Sequence, residues 1–176
     1  MSKHRYYHDR LTMALDDLSR CRRYCQMMLK LPLGQSFSEE RIVYESLFVA
    51  FIVSYGRVFT TSNTVDQIYK AEVSNDFGNF RADMVSKQMQ QHQKLHTRIL
   101  EKRHTAIAHS DAKSRNYQHY SDSPLGVGRN PYYPYDHDEV SWALELTNNL
   151  IGLVGDEQTR IGKVTFKTPF VWGLEK

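Results

Sequence analysis

The sequence is poor in cysteine, with Cys21 and Cys25 its two thiols. Two thiols cannot staple a disulfide scaffold. Their spacing of four puts both on one helix face, where a disulfide closes badly. They read as buried, reduced side chains. Only five prolines occur, and three of them fall within residues 111–136. Long hydrophobic runs are also missing. The most apolar stretch, residues 43–59, is interrupted by Glu45 and Arg57; it reads as a core helix too short to span a bilayer. Nor is there a large charge imbalance: the net charge of +3 permits a polyanionic partner without demanding one. With no signal peptide in view, the expected setting is cytoplasmic, with no membrane partner. No Gly-rich phosphate loop or Ser-His-Asp ordering stands out.

What is present is helical periodicity. At 176 residues and 40% hydrophobic content, one domain covering residues 1–176 can bury a core unaided. Tyr7, Leu11, Ala14, Leu18, Cys21, Cys25 and Met28 recur at three- and four-residue steps, opposite Asp16, Asp17, Arg20, Arg22 and Arg23. This predicts an amphipathic helix stopped by Pro32 and Gly34. Ser38 with Glu39 and Glu40 reads as the N-cap of a second helix. That helix is apolar nearly all round to Phe59, and so is expected to be the central, most buried one. A short helix near residues 65–71 and a polar turn at residues 75–78 are expected next. Residues 80–109 then read as one long polar helix with a narrow stripe at Met84, Leu95, Ile99 and Ala106.

Residues 111–136 read as a long Tyr/Pro/Gly-rich loop before the last helix, and a loop of that length needs a function or is disordered. Its rings and guanidinium groups suit single-stranded RNA, although tyrosines equally cover apolar surface. Asp136 or Asp138 would cap the last helix, residues 139–161. Residues 162–176 read as an extended C-terminal tail. The expected architecture is therefore all-α, an antiparallel four-helix bundle.

The chemistry concentrates in residues 101–111, where Arg103, His104 and His109 close the long polar helix. A guanidinium never loses its charge and an imidazole titrates near neutrality, a pairing that suits a phosphodiester. The bland reading is that both residue types are favoured at any helix C-terminus. In an ideal helix Arg103 and His109 stand about 9 Å apart along the axis and about 120° apart around it. One regular helix cannot bring them to one small site. Either the helix loosens at residues 108–111, or a second copy of the chain supplies the missing group across a twofold axis.

Arg103-His104-Thr105-Ala106-Ile107-Ala108-His109, followed by Ser110 and Asp111 at the end of a helix, resembles the HEPN superfamily. The segment Ser54-Tyr55-Gly56-Arg57-Val58-Phe59 resembles the aromatic-rich second helix of such proteins. The resemblance spans roughly residues 38–111. It implies a metal-independent endoribonuclease, a toxin or phage-defence effector, working as a homodimer without a cofactor. It also implies His109 as acid–base group on the ribose 2′-hydroxyl, Arg103 on the scissile phosphate and His104 as the supporting polar residue. Asp111, Arg115, Tyr117 and Arg129 are the candidate substrate contacts. Asp111 stands where some of these toxins carry a tyrosine that an antitoxin modifies, so that control is not implied here, although an antitoxin or other protein partner remains compatible. Non-catalytic HEPN-like interaction or sensing modules are the alternative.

Other constellations are weaker. His92 and His96 have a metal-ligand spacing, but the pattern reads better as a solvated polar face. Glu101-x-x-His104 is half of a di-iron motif that needs two. Neither implies a metal. Arg57, on an apolar helix, needs an anion, Glu45 or a phosphate.

Overall fold

The structure is a computed structural model that describes residues 3–35, 38–60, 70–104, 118–119, 126–127 and 134–166. Among these, the chain forms five α-helices: α1 (Lys3–Met28), α2 (Glu39–Phe59), α3 (Lys70–Ser86), α4 (Gln90–Lys102) and α5 (His137–Thr165). Within the long excursion before α5, β1 (Gln118–His119) pairs antiparallel with β2 (Gly126–Val127).

Helix α1 buries one stripe, the seven residues the periodicity predicts. Leu11 and Leu18 on it are fully enclosed, each stabilising the fold by roughly 2 kcal/mol. The small residues Ala14, Cys21 and Cys25 let neighbours approach on two sides. On one side α2 returns antiparallel, with the Cys21 thiol 3.7 Å from the Phe51 carbonyl. On the other, α5 runs antiparallel. Tyr7 donates to Glu157 at 3.2 Å and Gln158 to Thr12 at 2.7 Å, while the His137 ring reaches the Leu31 carbonyl at 2.9 Å. Burial drives the thiols away from ionisation, Cys25 up to about 12, and both are free.

The centre of the fold is therefore α1, not α2 as the apolar composition suggested. Helix α2 contributes the bulky core rings of Tyr44, Phe48, Phe51 and Tyr55, yet leaves Ile42, Val43 and Val53 exposed. By length and composition α2 is apolar enough to cross a membrane, so the expectation that it is too short does not hold. In this fold 44% of its apolar window is buried, and its buried Arg41 is held by Glu45 at 2.9 Å. Ser38 caps it by accepting from the Arg41 N–H.

The long polar helix expected over residues 80–109 is two helices. Side-chain amides explain the break. Gln88 donates to the Met84 carbonyl at 2.9 Å, and Gln93 donates to the Ser86 and Gln88 carbonyls at 3.3 and 2.8 Å. These amides take carbonyls that a continuing helix would have satisfied with backbone N–H groups. The polar turn expected at residues 75–78 lies inside α3 instead, because Val73, Phe77 and Met84 form a buried stripe of their own. The short helix expected near residues 65–71 lies mostly outside the described residues.

Helix α4 runs antiparallel to α5, with Arg98 paired to Glu139 and Asn149 donating to Gln88. It also runs antiparallel to α2, where His96 meets Tyr55 and Lys102 lies over Phe48. Tyr135 pins the end of the excursion to the core, edge-on to Phe48 at 4.9 Å, and its carbonyl accepts from Tyr44 at 3.1 Å. This tyrosine covers apolar surface. Helix α5 continues to Thr165, so the first residues of the expected extended tail are helical, and Phe166 packs on His8 at 5.1 Å.

Helix α5 opens with a capping box: Asp136 accepts from the Glu139 N–H at 2.8 Å, and the Glu139 side chain accepts from the Asp136 N–H. Asp136→Ala should lower stability by about 1 kcal/mol. In urea unfolding this appears as a lower midpoint at unchanged slope, and an unmoved midpoint would show that the cap contributes nothing.

A candidate functional site around Arg103

The hydrogen-bond pattern changes where α4 ends, and the loosening expected at residues 108–111 lies outside the described residues. The Arg103 N–H is shared between the Ile99 and Leu100 carbonyls, and residues 103–104 form a wider, π-type turn. Such turns disturb side-chain spacing and are frequent at functional positions. Here the turn directs Arg103 inward, half-buried, and leaves His104 exposed.

Arg103 rests on α2 at Gly56. A Cβ placed on Gly56 would lie 1.9 Å from the Arg103 Cδ and 2.5 Å from its Nε. Only a residue without a side chain admits the arginine stem there. The Gly56 carbonyl also closes α2, accepting from the Thr60 N–H at 3.0 Å and hydroxyl at 2.9 Å.

The guanidinium lines an open cavity of about 450 Å³ between α1, α2 and α3. Its wall carries Arg10, Arg20, Arg57 and Arg103 against Asp16 and Asp17, a formal excess of two positive charges. Arg20 pairs with Asp16 at 3.0 Å, and Arg57 pairs with Asp17. Arg57 is thus solvent-facing and held by α1, not by Glu45. Among the described residues, neither Arg10 nor Arg103 has a carboxylate within 4 Å. Arg10 instead lies over the Phe77 ring at 5.1 Å, and Arg81 lies 5.2 Å from the same ring while donating to the Val58 carbonyl at 3.3 Å. Burial and the charge of Arg10 both lower the Arg81 pKa.

Behind this wall sits a buried polar pair. The Tyr55 hydroxyl and His96 Nδ1 are 2.9 Å apart, and His96 also meets the Phe59 ring edge-on at 4.5 Å. Burial lowers the His96 pKa to about 4, so the imidazole is neutral and Nδ1 accepts from Tyr55. His92 is 1% exposed and both its ring nitrogens lack a hydrogen bond. Its Nε2 is 3.4 Å from Glu145, near enough for an ion pair but not aligned as a hydrogen bond. Both imidazoles therefore face inward, correcting their reading as a solvated face. Among the described residues no three His, Cys, Asp or Glu side chains gather as a metal site.

Of the residues the sequence nominated, Arg103 lines the cavity and His104 sits on the π turn facing solvent. His109, Asp111, Arg115, Tyr117 and Arg129 lie outside the described residues. Sequence reasoning missed Arg10, Phe77 and Arg81. Reading residues 75–78 as a turn hid Phe77, and the helical spacing of Val73, Phe77 and Met84, four and seven residues apart, was the signal that would have exposed it. Comparison with protein-family models, with curated proteins and with solved structures finds no match for the chain.

Gly56→Ala should displace Arg103 from the cavity without unfolding the protein, because alanine is the better helix former by up to about 1 kcal/mol. The measurement is thermal stability beside affinity for a short oligonucleotide: a held Tm with weakened binding is expected, and unchanged binding would show that the seat of Arg103 is irrelevant. His96 titrates lower in the folded than in the unfolded state, so its contribution is complete above pH 6.5 and drains away as pH falls towards 4. The loss should reach about 2 kcal/mol after screening at the ring's exposed edge. His96→Gln, which keeps an acceptor for Tyr55, should flatten urea stability between pH 6.5 and 4.

Proposed function

We propose that the chain is a HEPN-like, metal-independent RNA endonuclease that acts as a homodimer in a toxin or phage-defence role. The observation that carries this reading is Arg103: half-buried, seated on Gly56, and without an anionic partner among the described residues. A partly desolvated guanidinium needs an anion, and a phosphodiester matches its planar fork. The antiparallel contacts of α1, α2, α4 and α5 support an antiparallel four-helix bundle, with α3 as an added helix against one end.

In the proposed reaction His109 removes the proton from a ribose 2′-hydroxyl. The 2′-oxygen attacks the adjacent phosphorus, and the bond to the 5′-oxygen breaks. The products are a 2′,3′-cyclic phosphate and a 5′-hydroxyl, which takes up a proton as it leaves. Arg103 neutralises the charge that develops on the phosphoryl oxygens. The acid–base step contributes about 10²–10⁴-fold. His104 stands one residue beyond Arg103 on the π turn, on the solvent side where a partner subunit would approach.

A second reading, a non-catalytic HEPN-like interaction module, is favoured by one observation. Ile42 and Val43 on α2 are 57% and 46% exposed, and apolar surface of this kind is suited to protein contact.

The deciding experiment is RNA cleavage in the presence of EDTA by wild type, Arg103→Ala and His109→Ala. Wild-type activity with a loss of at least about 100-fold in each variant is expected. Cleavage persisting in both variants would sink the site assignment, and a wild type that binds RNA without cutting it would favour the interaction module.

A further inference from the structure

The cavity beside Arg103 holds more positive charge than its carboxylates answer. Asp16 and Asp17 are engaged by Arg20 and Arg57. Asp76, on the neighbouring stretch of α3, is engaged by Lys3 at 3.0 Å. Arg10, Arg81 and Arg103 are left with no carboxylate within 4 Å among the described residues, and all three are half-buried. Arg10 and Arg81 crowd one ring, Phe77, and the charge of Arg10 adds to burial in lowering the Arg81 pKa. Arg10 and Arg103 line the recess itself, and Arg81 adjoins it through the Phe77 ring and the Val58 carbonyl. A fold gains nothing from gathering such cations without carboxylates, since like charges at this range repel. The arrangement makes sense when an anion with more than one charged group occupies it.

Its spacing points the same way. Asp17, which locates Arg57 and the Arg103 end of the recess, lies seven residues from Arg10 on α1. That is about 10 Å along the helix, longer than the step between adjacent phosphates of a strand, so the two ends suit phosphates that are not nearest neighbours. The Arg10 guanidinium is held against Phe77 rather than loose in solvent, so it can meet phosphate with its N–H edge or a base with its face.

Building on the ribonuclease reading, we infer that Arg10 and Arg81, braced on Phe77, form a second phosphate subsite for the same RNA strand whose scissile phosphate Arg103 holds. The recess between α1, α2 and α3 is then a track for single-stranded backbone. The chemistry it recognises is a row of phosphates, which a nucleic acid strand or a free polyphosphate supplies.

The test measures binding of a short 2′-O-methyl oligonucleotide, which cannot be cleaved by 2′-hydroxyl attack, across a salt series. Inorganic tripolyphosphate is the second probe. The proteins are wild type, Arg10→Gln, Arg81→Gln and Arg23→Gln, the last removing an exposed charge from α1 outside the recess. Arg10→Gln and Arg81→Gln should each weaken oligonucleotide affinity about 5- to 10-fold. Each should also reduce the slope of log affinity against log salt by about 0.7, whereas Arg23→Gln should do neither. Because relief of repulsion offsets lost contacts, Arg10→Gln should keep the wild-type Tm, and the oligonucleotide should raise Tm less in it than in wild type.

Equal effects from Arg23→Gln and Arg10→Gln would overturn the subsite, leaving only general charge attraction. Tripolyphosphate binding more tightly than the oligonucleotide, with the same dependence on Arg10, would overturn the strand assignment in favour of a small polyphosphate. A protein that never cuts RNA yet shows the Arg10 and Arg81 effects retains the track and loses the nuclease. One that cuts RNA with both variants binding like wild type retains the nuclease and loses the track.

Discussion

Helix α1 has to satisfy two long neighbours with a single stripe of side chains, and the remaining geometry follows from that demand. A stripe built wholly of leucine would hold α2 and α5 apart. Ala14, Cys21 and Cys25 instead let both helices close in, with the Cys21 thiol in contact with the α2 backbone at Phe51. Once α2 is docked in that register, Asp17 faces Arg57, and Gly56 faces the end of α4. The outward side of α1 then becomes one wall of the recess that Arg103 enters. The helix that organises the core thus also positions charge at the surface, through residues one position apart on its circumference.

Net charge conceals this surface. A formal +3 over the chain describes a nearly balanced protein, yet the recess gathers arginines faster than aspartates. Elsewhere charges cancel locally, in pairs such as Lys87 with Asp83 and Arg160 with Glu157 that add nothing to the net. Such pairs stabilise little, a few tenths of a kcal/mol each. Their effect is to neutralise the rest of the surface, so that the unanswered cations stand out to an approaching anion.

Local rules were readable in the sequence wherever one residue acts on its immediate neighbours. Ser38 announced one helix start, Asp136 or Asp138 another that the structure assigns to Asp136, and the stripe of α1 announced its buried face. The break between α3 and α4 was not readable, since glutamine is an ordinary helix former until its amide turns back to a carbonyl, and composition does not say which way it turns. His92 and His96 failed for a related reason: on a segment of glutamines and lysines they resemble solvated residues, and only the packing of α4 against α2 and α5 draws them inward. Arg103 was singled out in the sequence because it belongs to a local motif, and the structure places it on the cavity. Arg10 and Arg81 were not, because Phe77 brings them together across some 70 residues of chain.

The amide-held elbow between α3 and α4 has a consequence for how this protein can change its length. Each residue added to or removed from a helix rotates everything beyond it by about 100°. The elbow is a rigid corner, with Gln88 and Gln93 fastening carbonyls on α3 and Asn149 fastening Gln88 to α5. It therefore acts as a phase marker: the angular position of Arg103 is counted from there, thirteen helical residues upstream. An insertion within α3 would turn Phe77 away from Arg10, whereas a single insertion within α4 would swing Arg103 off Gly56 and leave a glycine notch with nothing to fill it.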